Sequence, residues 1–239
     1  MSSGRFPETR YSILSLVRGA DEETRRQALE TVVEGYWKPV YKYLRLRWNL
    51  SPDDASDATQ HFFLSTLERR AFAAYDPSIA RFRTFLRVCL DRFMSNERKS
   101  RSRLKRGGAL RLVSLDFELA EEEFVMADRR NREPEEFFHR EWVRELLSYC
   151  LDEMQRNCRE QNKGLQFDVF VAYAVEPTDP APTYRQLAER FQIPETQITN
   201  YLSWARRRFR RFVAERIREL TGSDEEYRAE LGRVLGRAR

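Results

Sequence analysis

With 239 residues, 41% of them apolar, the chain can hold one large domain or two smaller ones, and a charged fraction of 34% demands extended surfaces or linkers. The net charge of +5 is unevenly spread: residues 81–111 carry eleven Lys/Arg against two acids (+9), 116–136 nine acids against three bases (−6), and 183–218 nine Arg against three Glu (+6). Two basic blocks flanking an acidic one suit a protein that touches nucleic acid at two places. The composition speaks against a membrane protein, since no apolar run approaches the roughly 20 residues of a spanning helix.

Two histidines are too few for a histidine-based metal site. Cys89, Cys150 and Cys158 lack zinc-knuckle or redox spacing, so no metal or cofactor is expected and a reduced, cytoplasmic setting is the simplest reading. The periodicity is helical nearly throughout, which predicts an all-α fold.

After an N-terminal arm (1–22), residues 25–48 place Leu29, Val32, Val33, Tyr36, Trp37, Val40 and Leu44 on one stripe, with Pro39 as an expected kink. Ser51-Pro52-Asp53-Asp54 reads as a helix start, with an N-cap serine, proline at the first helical position and acids at the positive helix end. That helix runs to about residue 70, burying Ala58, Phe62 and Leu67, and leaves Asp53, Asp57, Gln60, His61 and Leu64 on a second stripe suited to a protein interface. A loop over 73–80 turns at Asp76-Pro77-Ser78.

The next helix, 82–104, has an apolar stripe of Phe82, Phe85, Leu86, Cys89, Leu90, Phe93 and Met94. Arg83, Arg87 and Arg92 are expected to be exposed on the opposite face, and Arg98, Lys99, Arg101 and Arg103 make its end strongly basic before Gly107-Gly108. Phe72 and Tyr75 in the preceding loop read either as stacking groups for unpaired bases or as ordinary core. Residues 23–108 form the first predicted domain, 109–135 an acidic linker that has room for short helices, and 136–220 the second helical domain, followed by a short charged tail at 221–239 that can itself be helical.

Within the second domain Phe138, Trp142, Val143, Leu146, Leu147, Cys150, Leu151 and Met154 form one stripe, 165–175 a further helix and 176–182 a proline-rich loop. Residues 183–212 then read as a helix-turn-helix. Thr183-x-x-Gln186 is a capping box, and Leu187, Ala188 and Phe191 face inward. Gln192-Ile193-Pro194 turns, and Ile198, Leu202, Ala205, Phe209 and Phe212 repeat along the second helix. Thr196, Gln197, Thr199, Asn200, Ser203, Arg206 and Arg207 lie on or beside its outer face, groups suited to base edges and phosphates. Gln192, where such turns commonly carry glycine, must adopt an unusual backbone angle or a different turn.

Three segments together resemble bacterial sigma factors of the sigma-70 family, of the small extracytoplasmic-function type. Residues 51–64 are similar to the family's acidic helix, 82–106 to its promoter-opening helix, and 183–212 to the helix-turn-helix that reads the upstream element. The resemblance implies that Asp53, Asp54, Asp57, Gln60, His61 and Leu64 bind core RNA polymerase. It implies that Phe72, Tyr75 and the cations from Arg83 to Arg103 bind and open the downstream element of promoter DNA. It further implies that the chain is a specificity subunit and not an enzyme.

His61 stands where many members carry an acid, and Asp91-Arg92 replaces a common Arg-Asn pair. Ser56, Thr59 and Thr66 lie on or beside the acidic helix, where a phosphoryl group would restore negative charge, so a Ser/Thr kinase joins an anti-sigma protein as a candidate regulator. Two other readings stay open. One is a helix-turn-helix regulator that binds operators without polymerase. The other is a metal-dependent nuclease using Asp53, Asp54, Asp57 and His61.

Overall fold

The computed structural model describes residues 21–68, 71–100, 115–126, 133–175 and 179–236. The arm at 1–20, the basic stretch at 101–114 with Arg101, Arg103 and Gly107-Gly108, and the side chains of Leu67, Arg98 and Lys99 lie outside the description. The described residues form nine α-helices and no strand, as the periodicity predicts. They are α1 (Glu22–Arg47), α2 (Pro52–Glu68), α3 (Phe82–Ser100), α4 (Phe117–Met126), α5 (Pro134–Glu160), α6 (Gly164–Phe170), α7 (Tyr184–Phe191), α8 (Glu195–Glu219) and α9 (Asp224–Val234). Among them no helix is long and apolar enough to cross a membrane.

Two compact units result, residues 1–145 with 217–239 and residues 146–216. Their boundaries differ from the expected ones at 136 and 220, because aromatic and charged groups of the first turns of α5 are spent on α1. Trp142 stacks on Tyr36 at 6.2 Å, Phe138 meets Tyr43 edge-on at 5.6 Å, and the Lys42 ammonium donates to Glu141 at 2.9 Å. The C-terminal segment also belongs to the first unit. Leu220 is buried against Gly35 of α1, where an added Cβ would come within 3.0 Å of a Leu220 methyl.

In the first unit α1 is the central element. Asp21 caps it through the Thr24 N–H at 2.9 Å, and Pro39 lies inside it. All seven predicted stripe residues are buried, and so are Tyr41, Lys42 and Tyr43, so α1 is enclosed on more than one side. Ser51 caps α2 as read, its hydroxyl accepting from the Asp54 N–H at 3.1 Å. Phe62 and Phe63 are buried, whereas Ala58 is half-buried. On α3 the stripe is sealed at Phe82, Leu86, Leu90 and Met94.

The acidic linker is not simply a linker. Its middle folds as α4 and docks on the basic side of α1: Glu121 pairs with Arg45 at 2.7 Å, and Glu123 with Lys38 at 3.0 Å and Lys42 at 2.5 Å. Phe117 packs on Trp37 and Tyr41, each at 5.3 Å, and Phe124 is buried beneath the Arg45 guanidinium. Two acids of a segment that reads as a linker, Glu121 and Glu123, are instead neutralised within the fold.

His139 on α5 stacks on Trp142 at 6.0 Å. Burial, then the positive charges of Arg83, Arg233 and Arg81, push its pKa from the ordinary 6.5 down to about 4. As pH falls through 6.5 the unfolded chain binds a proton that the folded chain refuses, so stability is lost between 6.5 and 4. Calorimetry of wild type and His139→Gln across that window should show an extra loss of about 2 kcal/mol in wild type alone.

In the second unit the buried residues form two neighbouring clusters. Met154, Cys158, Phe167, Phe170 and Ala205 make one, and Val169, Ala172, Leu187, Ile198 and Leu202 the other. The segment at 165–175 is α6 followed by a π-turn over Val171–Val175, and its Phe167, Val169 and Phe170 are all buried.

Candidate nucleic-acid interface

The α7–turn–α8 segment follows the sequence reading closely. Thr183 and Gln186 form the capping box, the Gln186 N–H donating to the Thr183 hydroxyl at 3.2 Å and the Thr183 N–H to Gln186 Oε1 at 2.8 Å. Leu187, Ile198, Leu202 and Ala205 are buried at 0–1% exposure, and Ile193 packs from the turn against the cluster that holds Leu187, Ile198 and Leu202. Pro194 accepts from the Gln197 N–H at 2.9 Å, starting α8.

Gln192 takes the left-handed conformation, φ 54° and ψ 43°, and its N–H and that of Ile193 both donate to the Ala188 carbonyl. The turn is therefore the ordinary glycine-type turn with a side chain in it. Gln192→Gly should raise the unfolding free energy by about 0.5–1 kcal/mol, read by chemical denaturation, because the Cβ contact that disfavours this conformation disappears.

Thr196, Gln197, Thr199, Asn200, Ser203, Arg206 and Arg207 are all exposed and lie together on the outer side of α8. Arg207 donates to the Ser203 hydroxyl at 3.0 Å, and Arg206 lies 5.4 Å from the Tyr173 ring, so both guanidiniums are held close to the helix surface. The result is an uninterrupted polar and cationic face on a helix whose opposite face is sealed.

On α2 the expected interface stripe is open. Asp53, Asp54, Asp57 and His61 are exposed, with Gln60 and Leu64 half-buried. Asp54 is partly committed to the helix start, accepting the Ser51 hydroxyl at 2.8 Å. Beside Asp53, α4 adds a groove of about 580 Å³ walled by Tyr41, Pro52, Phe117, Val125 and Met126. Met126 is 88% and Val125 61% exposed. Sequence reading misses these two because the segment reads as a linker; the pattern Phe117, Ala120, Phe124 at helical spacing is the signal that marks a buried face there. Thr59 and Thr66 point inward, donating to the carbonyls of Ala55 and Phe63, so in this fold neither hydroxyl is open to a kinase; of the three only Ser56 reaches the surface in part. Among the described residues no group of three or more His, Cys, Asp or Glu is placed to hold a metal ion.

The expected exposure of the downstream-element residues needs correction. Phe72 and Tyr75 are each only 3% exposed, packed edge-on against Phe82 at 5.5 and 5.1 Å. Arg83 is buried rather than exposed, lying 5.4 Å from the Trp142 ring and bound to Glu230 of α9. Burial outweighs that partner and lowers the Arg83 pKa. Arg87 is mostly covered and pairs with Asp91 at 3.4 Å and Glu135 at 3.2 Å. Asp91, the departure noted in the sequence, is an internal anchor that accepts from Tyr43 Oη at 3.1 Å and Trp48 Nε1 at 3.2 Å. Arg92 is exposed as expected. The helical stripe distinguishes apolar from polar positions, but it could not register that a second polar layer, α9, lies over the start of α3.

Neither family models, nor curated proteins, nor solved structures give a match to this chain.

Proposed function

We propose that this chain is a sigma factor, a subunit that binds core RNA polymerase and directs it to promoters, acting in the cytoplasm without catalysing a reaction itself. The observation that carries the reading is the α7–turn–α8 segment: a capped helix, a tight turn and a second helix whose seven predicted contact residues are all exposed over a sealed core. In this reading it is a helix-turn-helix whose α8 enters the major groove of the upstream element. The open stripe of α2 and the apolar groove beside it would receive polymerase, and α3 with its basic continuation would take the downstream element. An anti-sigma protein or a Ser/Thr kinase belongs to the same reading as a source of control.

The test is transcription in vitro with purified bacterial core polymerase on a promoter library. Promoter-dependent transcripts that vanish without the chain are expected. None on any promoter, with the chain folded and polymerase active, would sink the reading.

A second reading has one observation in its favour. The α8 face is open in the free chain, whereas Phe72, Tyr75 and Arg83 are covered. That is what an operator-binding regulator independent of polymerase needs. It predicts tight duplex binding by the chain alone, as a dimer on a palindrome, where the sigma reading predicts weak binding alone and an asymmetric site with polymerase.

A further inference from the structure

The covering of α3 has a particular chemistry. The Glu226 carboxylate of α9 accepts the Phe82 N–H at 2.6 Å, the Tyr75 hydroxyl at 2.8 Å and the Gly222 N–H at 2.7 Å. Phe82 is the first residue of α3, so its N–H is among those no carbonyl of that helix can satisfy. One turn further along α9, Glu230 binds the guanidiniums of Arg83 and Arg81, the latter at 3.3 Å. Three carboxylate oxygens thus face a helix N-terminus and a pair of arginines, and the fourth, Glu226 Oε2, is held by Tyr75 and the Gly222 N–H. A nucleic-acid phosphate presents the same kind of oxygens to the same kind of donors. Tyr75 lies against Glu226, and Phe72 packs beside it on Phe82; these are the two aromatics expected to stack on unpaired bases.

The attachment of α9 is polar. Its fully buried side chains are Glu226 and Glu230, and none of its apolar residues is fully buried. The segment entering α9 passes so close to Tyr75 that a Cβ on Gly222 would lie 2.4 Å from the ring. Ser223 caps the helix through the Glu226 N–H at 3.1 Å, so α9 has its own start signal. A helix whose buried side chains are two acids and whose apolar residues are only half-buried can be exchanged for another polyanion at little loss to the arginines it releases, whereas one held by full apolar burial could not.

We propose that α9 is a built-in competitor for DNA: Glu226 and Glu230 occupy in cis the phosphate-binding surface formed by Arg81, Arg83 and the N-terminus of α3, and must leave before Tyr75 and Phe72 can meet unpaired bases. The inference rests on the promoter-reading proposal above and names how that reading is regulated. It makes the free chain closed at its downstream face and gives polymerase or single-stranded promoter DNA the task of opening it.

The test begins with the wild-type full-length chain and a fluorescein-labelled, A/T-rich single-stranded DNA oligonucleotide. Saturating DNA should deprotect the amides of 224–234 in hydrogen exchange. DNA that binds while α9 protection stays unchanged, or no binding at any concentration together with unchanged α9 protection in polymerase complexes, overturns the proposal. In E226Q/E230Q, α9 should lose protection and affinity for the oligonucleotide should rise roughly tenfold or more, with a steeper salt dependence. Adding Arg83→Ala should cancel that gain. Gly222→Ala, which presses on Tyr75 and leaves every charge in place, should give part of it and serves if the double amide variant does not fold. An E226Q/E230Q chain whose α9 remains protected, or that loses α9 without gaining affinity, counts against the proposal. Transcription with core polymerase separates the two failures. Promoter-dependent transcripts equal for wild type and E226Q/E230Q leave the sigma reading standing and remove the tail's role, whereas no transcripts from either remove the reading itself.

Discussion

On the proposed promoter-reading function, replacing Asn200 and Arg206 together with alanine is expected to lower affinity for the upstream element by about a hundredfold and leave the thermal midpoint where it was. Each side chain is exposed on the outer face of α8, while Ile198, Leu202 and Ala205 on the inner face stay sealed. A side chain that reads a base edge contributes about 1–3 kcal/mol of discrimination, so two such losses amount to two decades or more. Alanine favours a helix more than asparagine does, and the Arg206 contact with Tyr173 is at the protein surface, so folding loses little. Arg207→Ala should behave differently. It should weaken binding to all sequences alike and reduce the slope of log affinity against log salt by about 1, as for a phosphate contact. Binding to promoter duplexes in the presence of core polymerase, beside calorimetry of the same proteins, checks both. A double variant that binds normally would remove α8 as the reading helix, and one that loses binding only with its folded state would show the face to be structural.

Lys42→Met should be among the most damaging single substitutions in the first unit, costing about 3–5 kcal/mol. The Lys42 ammonium is 2% exposed and lies 2.9 Å from Glu141, also 2% exposed, and 2.5 Å from Glu123. Removing the cation strands a carboxylate in the interior, where the partner shown among the described residues is the surface guanidinium of Arg144 at 3.4 Å. Water cannot reach Glu141 to replace the lost charge, so the cost is its desolvation rather than the strength of the pair. The double variant Lys42→Met/Glu141→Leu should recover most of the loss, because an apolar pair of similar volume leaves nothing unpaired. Urea unfolding of the two singles and the double, read as a cycle, gives the coupling directly. Equal loss in the double and the singles would mean that packing on α1, and not the stranded charge, sets the cost. Because Glu123 and Glu141 come from α4 and α5, this lysine ties both to the middle of α1.

Local chemistry was legible wherever it is local. The Ser51 and Thr183 caps, the Asp76 turn with its carboxylate accepting the Ser78 N–H at 2.8 Å, and the left-handed Gln192 all follow from a few adjacent residues. So does the outward face of α8, because helical spacing alone assigns Ile198, Leu202 and Ala205 to one side and seven polar groups to the other. What did not follow was which polar residues are spent on partners far along the chain. Arg83 and Glu230 lie 147 residues apart and Lys42 and Glu141 99 apart, and each reads in isolation as a solvated charge.

The amino-acid pattern by itself therefore determined the helical class, the Ser51 and Thr183 caps and the composition of the α8 face, since backbone hydrogen bonding and side-chain periodicity act within a few residues. Tertiary structure alone decided that the acidic segment at 117–126 is a docked helix, that α5 begins in the first unit, and that the tail closes over Tyr75 and Arg83. Those outcomes depend on pairing buried charges across long stretches of chain. The energy of such a pair is set by geometry and exclusion of water, and no sequence spacing encodes either.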